Sequence, residues 1–235
     1  MRYELAYTMI LFFIFSVIGY ILEIISVFTK EKRIVLSRGY LIGPYIPVFG
    51  FGGLIITFFL SNYQDNIITL FVLGVVYCCS LEYFTSYLME KIFHLRWWDY
   101  SYRKYNLNGR ICLETGFMFG FGSLFVVKLC NPFVFSILDK LSRSTICTIG
   151  LILFIIMFSD FILSTFTIVR LKIDTSKYVN TDATLVIKKE VKESIRKYSF
   201  FYKRLFEAFP TLSRDNIYFV KIKQIIDKIV KHKKK

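Results

Sequence analysis

A chain of 235 residues with 55% apolar and 19% aromatic content and a mean hydropathy of +0.51 is too apolar for ordinary soluble domains, and it reads as an integral membrane protein. The formal net charge of +14 would suit a nucleic-acid binder, but the basic residues flank apolar runs and no nucleic-acid-binding motif is present. Anionic membrane lipids, and no nucleic acid, are the expected counter-charge.

A helix needs about 20 apolar residues to cross the hydrocarbon core. Five segments meet that requirement, at about residues 5–28, 43–61, 67–89, 111–129 and 145–169. The first follows only Met-Arg-Tyr-Glu and shows no small-residue cleavage site, so it is expected to be retained as a span. The second opens on "GPYIPVFGFGG", whose two prolines and four glycines exclude a regular helix throughout and predict a broken start buried in protein. Between the third and fourth lies "RWWDYSYRKYNLNGR", in which Trp97, Trp98, Asp99 and Tyr100 are expected to sit in the headgroup layer or dock on a partner, and Asn-Gly marks a turn.

From Leu171 the chain turns polar and holds 17 of the 31 Lys and Arg residues. Apolar residues including Tyr198, Tyr202, Leu205 and Phe206 recur at helical spacing before Pro210, and a second stripe runs through Ile222, Ile225, Ile226 and Ile229. Both read as basic amphipathic helices. The expected organisation is a transmembrane domain over 1–170 and a basic cytoplasmic tail over 171–235. The fold class is all-α, a polytopic membrane protein of five transmembrane helices, two helical hairpins plus one, with C-terminal amphipathic helices.

Lys30, Lys32, Arg33 and Arg38 follow the first span, and Lys91, Arg96, Arg103, Lys104 and Arg110 follow the third; "NYQDN" after the second has no Lys or Arg. The positive-inside bias therefore puts the N-terminus outside and the C-terminus in the cytoplasm of a cell membrane. Laying Gly43 over Gly109 also lays Gly50 over Gly116 and, in the preceding spans, sets Glu23 opposite Glu82, an echo that would make the two hairpins a parallel repeat.

The pieces "FSVIGYILEII", "RGYLIGPYIPVFGFGG", "LEYFTSYLMEKIF" and "RWWDYSYRKYNLNGRICLETGFMFG", in that order between Ser16 and Gly120, resemble the putative ABC-transporter permease family of bacterial membrane proteins, type IV. The resemblance implies a multi-span permease subunit with no nucleotide-binding domain of its own. The chain has no Gly-rich "GxxxxGK[ST]" phosphate loop, so an ATPase would be a separate subunit. The family supplies no catalytic residues to carry over.

Candidate chemistry comes from acids placed within or at the ends of apolar runs: Glu23, Glu82, Glu114 and Asp160. Such groups face a cavity, pair with a cation or stay protonated. Pairing with Arg38 and Arg110 is the plainer expectation; the functional one is a substrate-binding pocket lined by Glu23, Arg38, Gly43, Tyr45, Glu82, Arg110 and Glu114. His94 and His232 are too few and too far apart for a metal site, the five cysteines show no ligand spacing, and no cofactor is expected. No histidine lies in a motif that would activate a nucleophile, so enzymatic chemistry is not expected. The leading function is a transport permease with an acid-lined polar cavity. Five spans are few for a pore, so a homodimer or a second membrane subunit is expected with it. The alternative is a non-transporting membrane module that binds lipid or recruits a partner protein. A membrane enzyme acting on lipid-linked substrate is the third reading.

Overall fold

The computed structural model describes residues 2–32, 34–36, 39–93, 96–179 and 198–209. Helix α1 (Tyr3–Glu31) carries Glu4 in its first turn, where the helix dipole favours an acid. It ends where Lys32 turns left-handed and its N–H closes on the Phe28 carbonyl. Residues 39–46 are non-helical and lead to α2 (Pro47–Ile55), with Pro47 in the first turn, where a missing N–H is harmless. Helix α2 widens into a π turn at Ile56–Leu60 and tightens again at Ser61–Tyr63. After α3 (Ile67–Phe93) come a two-stranded antiparallel pair, β1 (Asn106–Leu107) and β2 (Ile111–Cys112), and α4 (Leu113–Phe125). A second π turn at Val126–Cys130 runs into α5 (Asn131–Leu138), followed by α6 (Arg143–Val179) and α7 (Ser199–Ala208).

Among the described residues, four stretches are long and apolar enough to cross a membrane: Tyr3–Thr29, Ile67–Phe93, Leu113–Leu138 and Arg143–Asp174. The second predicted span is apolar but shorter, Pro47–Tyr63, because the chain before Pro47 is unwound as its prolines and glycines require. The fourth does not stop near Leu129: the π turn carries it through Asn131-Pro132, and Pro132 falls in the first turn of α5, where proline is tolerated. Helix α6 passes residue 170, where the composition turns polar, without a break.

Helices α1 and α2 form one hairpin, α3 and α4 the other, and α6 packs along α1. Small residues permit the close approach: Gly53 faces Phe15 and Gly19 faces Phe49 in the first hairpin, while Gly74 faces Ser123 and Gly120 faces Phe71 in the second. The alignment that lays Gly43 over Gly109 also lays Pro47 over Leu113, the first residues of α2 and α4, and each of these helices then opens into a π turn. The π turns touch, and across them Thr57 Oγ1 donates to Asn131 Oδ1 at 3.1 Å.

One buried cluster sits at the N-terminal end of α1, where Ala6, Ile10 and Leu11 meet Val134, Leu138 and Ile146. Another sits at the opposite end, where Phe93 and Trp97 meet Ile168 and Leu171 of α6 and Tyr202, Leu205 and Phe206 of α7. The described part of the tail is therefore folded against the ends of α3 and α6. Residues 180–197 and 210–235, which hold the rest of the predicted amphipathic helices, lie outside the described residues.

Candidate functional site

Two polar centres lie toward the α7 end of the molecule. The first is built by the unwound residues 39–46 that precede α2. Asp160, 8% exposed on α6, accepts four hydrogen bonds: from the backbone N–H groups of Ile42 (2.8 Å) and Gly43 (2.7 Å), from the Tyr45 hydroxyl (2.7 Å) and from Ser164 Oγ (2.9 Å). Backbone amides freed by the broken helix are thus satisfied by a carboxylate, and the carboxylate by them. The same segment is tied to α1 through Ile46 N–H to the Ser16 carbonyl at 2.9 Å. It meets α6 again through Tyr40 and Thr165, whose hydroxyl oxygens are 2.7 Å apart. The Tyr40 ring packs edge-on to Trp97 at 5.6 Å.

From the tail, Arg204 Nη2 donates to the Gly39 carbonyl at 3.3 Å. Burial lowers the pKa of its guanidinium, while the neighbouring Asp160, Tyr20 and Tyr45 act in the opposite sense. Arg204 thus brings a positive charge to the Asp160 centre. Its neighbour Tyr202 donates to Asp174 Oδ2 at 2.8 Å.

The second centre lies between the hairpins. Tyr100 donates to Glu82 Oε1 at 3.2 Å. Glu82 Oε2 is buried with no hydrogen-bond partner among the described residues. Burial, then the Glu82 and Glu23 carboxylates, push the Tyr100 phenol above its ordinary pKa, which sets all three groups in one electrostatic neighbourhood. Tyr100 is consequently a neutral donor. Glu23 lies 20 residues beyond Tyr3 on α1, about 30 Å along the helix axis, which is about the thickness of the hydrocarbon core. These acids therefore stand near one edge of the apolar layer.

The loop that delivers Tyr100 is held on itself. Asn108 and Gly109 both have positive φ, 53° and 65°, as an Asn-Gly hairpin turn requires. A side chain at Gly109 would meet Asp99 and Ser101. Asp99 Oδ1 accepts from Ser101 N–H (2.9 Å), Ser101 Oγ (2.6 Å) and Arg96 Nη1 (3.3 Å). Trp98 Nε1 donates to the Arg110 carbonyl at 3.0 Å. Arg110 Nη1 pairs with Glu90 Oε2 at 2.7 Å, donates to Ser86 Oγ at 3.3 Å, and its guanidinium lies over the Tyr83 and Tyr87 rings.

The predicted site residues are thus divided. Gly43 and Tyr45 meet at Asp160, whereas Glu82 is bonded to Tyr100 and Glu23 acts on that phenol only through its charge. Arg110 pairs with Glu90, and exposed Glu114 pairs with Arg103 at 2.8 Å. Arg38 lies outside the described residues, as do His94 and His232. Trp97 is 3% exposed and packs at 4.5 Å against Phe209, so it faces the tail and not a headgroup layer. The acid at the hub of residues 39–46, Asp160, and its neighbour Arg204 escaped the predicted pocket. The available signal was charge in an apolar pattern: Asp160 inside a span, and Arg204 beside Leu205 and Phe206 on the tail helix. All five cysteines are free thiols.

Neither the curated proteins nor the solved structures contain a match to this chain. A family profile, described as putative ABC-transporter type IV, matches residues 10–165, which takes in both hairpins, the Tyr100 loop and the Asp160 centre. The chain therefore belongs to the putative ABC-transporter type IV family and is a multi-pass membrane protein.

Proposed function

We propose that this chain is the membrane-spanning permease subunit of a transporter, that a separate subunit hydrolyses nucleotide, and that solute passes the neighbourhood that Glu23, Glu82 and Tyr100 share. The supporting observation is the Glu82 carboxyl: one oxygen takes a neutral phenol and the other, buried, has no hydrogen bond among the described residues. Arg110, from the turn between β1 and β2, is engaged instead with Glu90, about two turns along α3 from Glu82. A purely structural acid at the edge of the hydrocarbon would be paired. One that exchanges partners, with a cation, a proton or a cationic solute group, is held by no permanent counter-charge. In this reading Gly43 and Tyr45 fix the wall through Asp160, Arg110 and Glu114 fix the loop, and the basic loops face the cytoplasm. A second copy or another membrane subunit completes the path.

The test is purification of the tagged chain in detergent, followed by reconstitution with what co-purifies. A nucleotide-hydrolysing subunit is expected. Glu82→Gln, which keeps shape and an acceptor for Tyr100, should lower transport-coupled hydrolysis by about tenfold at unchanged chain level. If no such subunit appears and Glu82→Gln leaves the cellular phenotype intact, the permease reading fails. Recovery of a non-hydrolysing protein instead would favour a recruiting module, a reading supported by Phe200, 70% exposed on α7.

A further inference from the structure

We propose that the segment 102–107, which leads into and forms β1, is a membrane-surface anchor, with Tyr102, Tyr105, Leu107 and Lys104 seated among anionic lipid headgroups. The residues that face outward are not the tryptophans but the segment that follows them into β1. Tyr102 is 69% exposed, Tyr105 63% and Leu107 56%, and Lys104 is exposed beside them. Three large side chains with apolar bodies, all exposed within six residues of chain, need a covering surface.

The depth of the hairpin identifies that surface. It does not project from the end of α3 but folds back along its last three turns: Asn108 Nδ2 donates to the Tyr83 hydroxyl at 2.8 Å, Tyr100 reaches Glu82 at 3.2 Å and Arg110 reaches Ser86 at 3.3 Å. Tyr83 is 16 residues into α3, about 24 Å from its start, so the hairpin lies level with the edge of a hydrocarbon layer about 30 Å thick. The segment is tied to the first turn of α4 through Arg103 and Glu114, and Leu113, Phe117 and Phe121 of that helix are all exposed. Tyrosine, with a ring for the acyl boundary and a hydroxyl for water, is the residue chemistry of that depth.

The charges select the lipid. Lys104 Nζ lies 5.4 Å from the Tyr105 ring centre and the Arg103 guanidinium 5.0 Å from that of Tyr102. Arg103 is already neutralised by Glu114, whereas Lys104 makes no ion pair among the described residues. A lysine rising from between two tyrosines can reach a lipid phosphate while its stem stays over apolar surface. A rigid anchor there would hold Tyr100 at Glu82 against motion of the bilayer, but anchoring itself does not depend on transport.

The experiment places a reporter on the segment. The full chain carrying Tyr105→Trp is reconstituted in phosphatidylcholine vesicles with and without phosphatidylglycerol, one set brominated on the acyl chain near the headgroup. The emission added by the new tryptophan, relative to the parent chain with Trp97 and Trp98, should lose at least half its intensity in brominated vesicles and resist acrylamide. Adding Lys104→Glu should weaken the quenching more in phosphatidylglycerol vesicles than in phosphatidylcholine alone. Leu107→Trp serves as a second reporter should the first variant fail to fold. If acrylamide quenches both tryptophans and brominated lipid quenches neither, the segment stands in water and the proposal is wrong.

Discussion

Asp160 is the residue on which the broken start of α2 depends. Its carboxylate takes two backbone amides that no helix satisfies, together with the Tyr45 hydroxyl. Asp160→Ala leaves those donors buried without a partner and should cost about 3 kcal/mol, read as a lower midpoint of thermal unfolding in detergent. A midpoint unchanged from the parent would show that another group holds residues 39–46. Tyr100 makes a second prediction, in pH. In the unfolded chain its phenol ionises near pH 10, at about the ordinary value, whereas in the fold burial and the two glutamates keep the proton on. The folded state therefore binds more protons above that pH, and the contribution of Tyr100 to stability, intact below it, is lost as pH rises. Tyr100→Phe should unfold with a shallower loss of stability in the alkaline range than the parent; an identical slope would refute the buried-phenol argument.

At the scale of elements, the Tyr100 loop is rigid because its turn permits one geometry. Gly109 combines positive φ with a position where any Cβ would press on Asp99 and Ser101. Gly109→Ala should destabilise by more than about 1 kcal/mol. It should also raise amide hydrogen exchange across 99–112, with α1 and α6 unaffected. Helix α7 is held by a different device, an aromatic cluster. Trp97 meets Phe93 at 5.7 Å and Phe209 at 4.5 Å, both edge-on. Truncating it to Ala removes a buried ring worth about 3–5 kcal/mol, and α7 should become the first site of proteolytic cleavage while the hairpins stay intact. Persistent protection of α7 would place its anchorage elsewhere, at Tyr202–Asp174 and Arg204–Gly39.

Across the whole molecule, the two similar hairpins and α6 are tied at three places. At one end the π turns meet at Thr57 and Asn131, between the hairpins Glu82 and Glu23 share a neighbourhood with Tyr100, and at the other end α7 bridges α3 and α6. Intramembrane side-chain hydrogen bonds are modest, because polar groups find other partners in the unfolded state within the membrane. A double-mutant cycle with Thr57→Val and Asn131→Leu should return a coupling of about 0.6 kcal/mol. Zero coupling would mean that the hairpins are joined only by apolar contact and by α7.

The sequence by itself determined the helical, membrane-embedded class and the hairpin order, because apolar length and the placement of Gly and Pro are local properties. It also placed the broken start of α2 and the Asn-Gly turn, since backbone geometry at those residues admits few alternatives. The extent of the fourth helix was not legible: Asn131-Pro132 has the signature of a stop, and only the π turn packed against its counterpart carries the helix through. The division of the predicted pocket was equally hidden. Whether Glu82 meets Arg110 or Tyr100, and whether Trp97 turns toward lipid or toward α7, depends on residues far apart in the chain that share one end of the molecule. Side-chain partnership is set by three-dimensional proximity, which a pattern of residue types does not encode. Tertiary structure alone gave Asp160 its amides and Arg204 its place beside it.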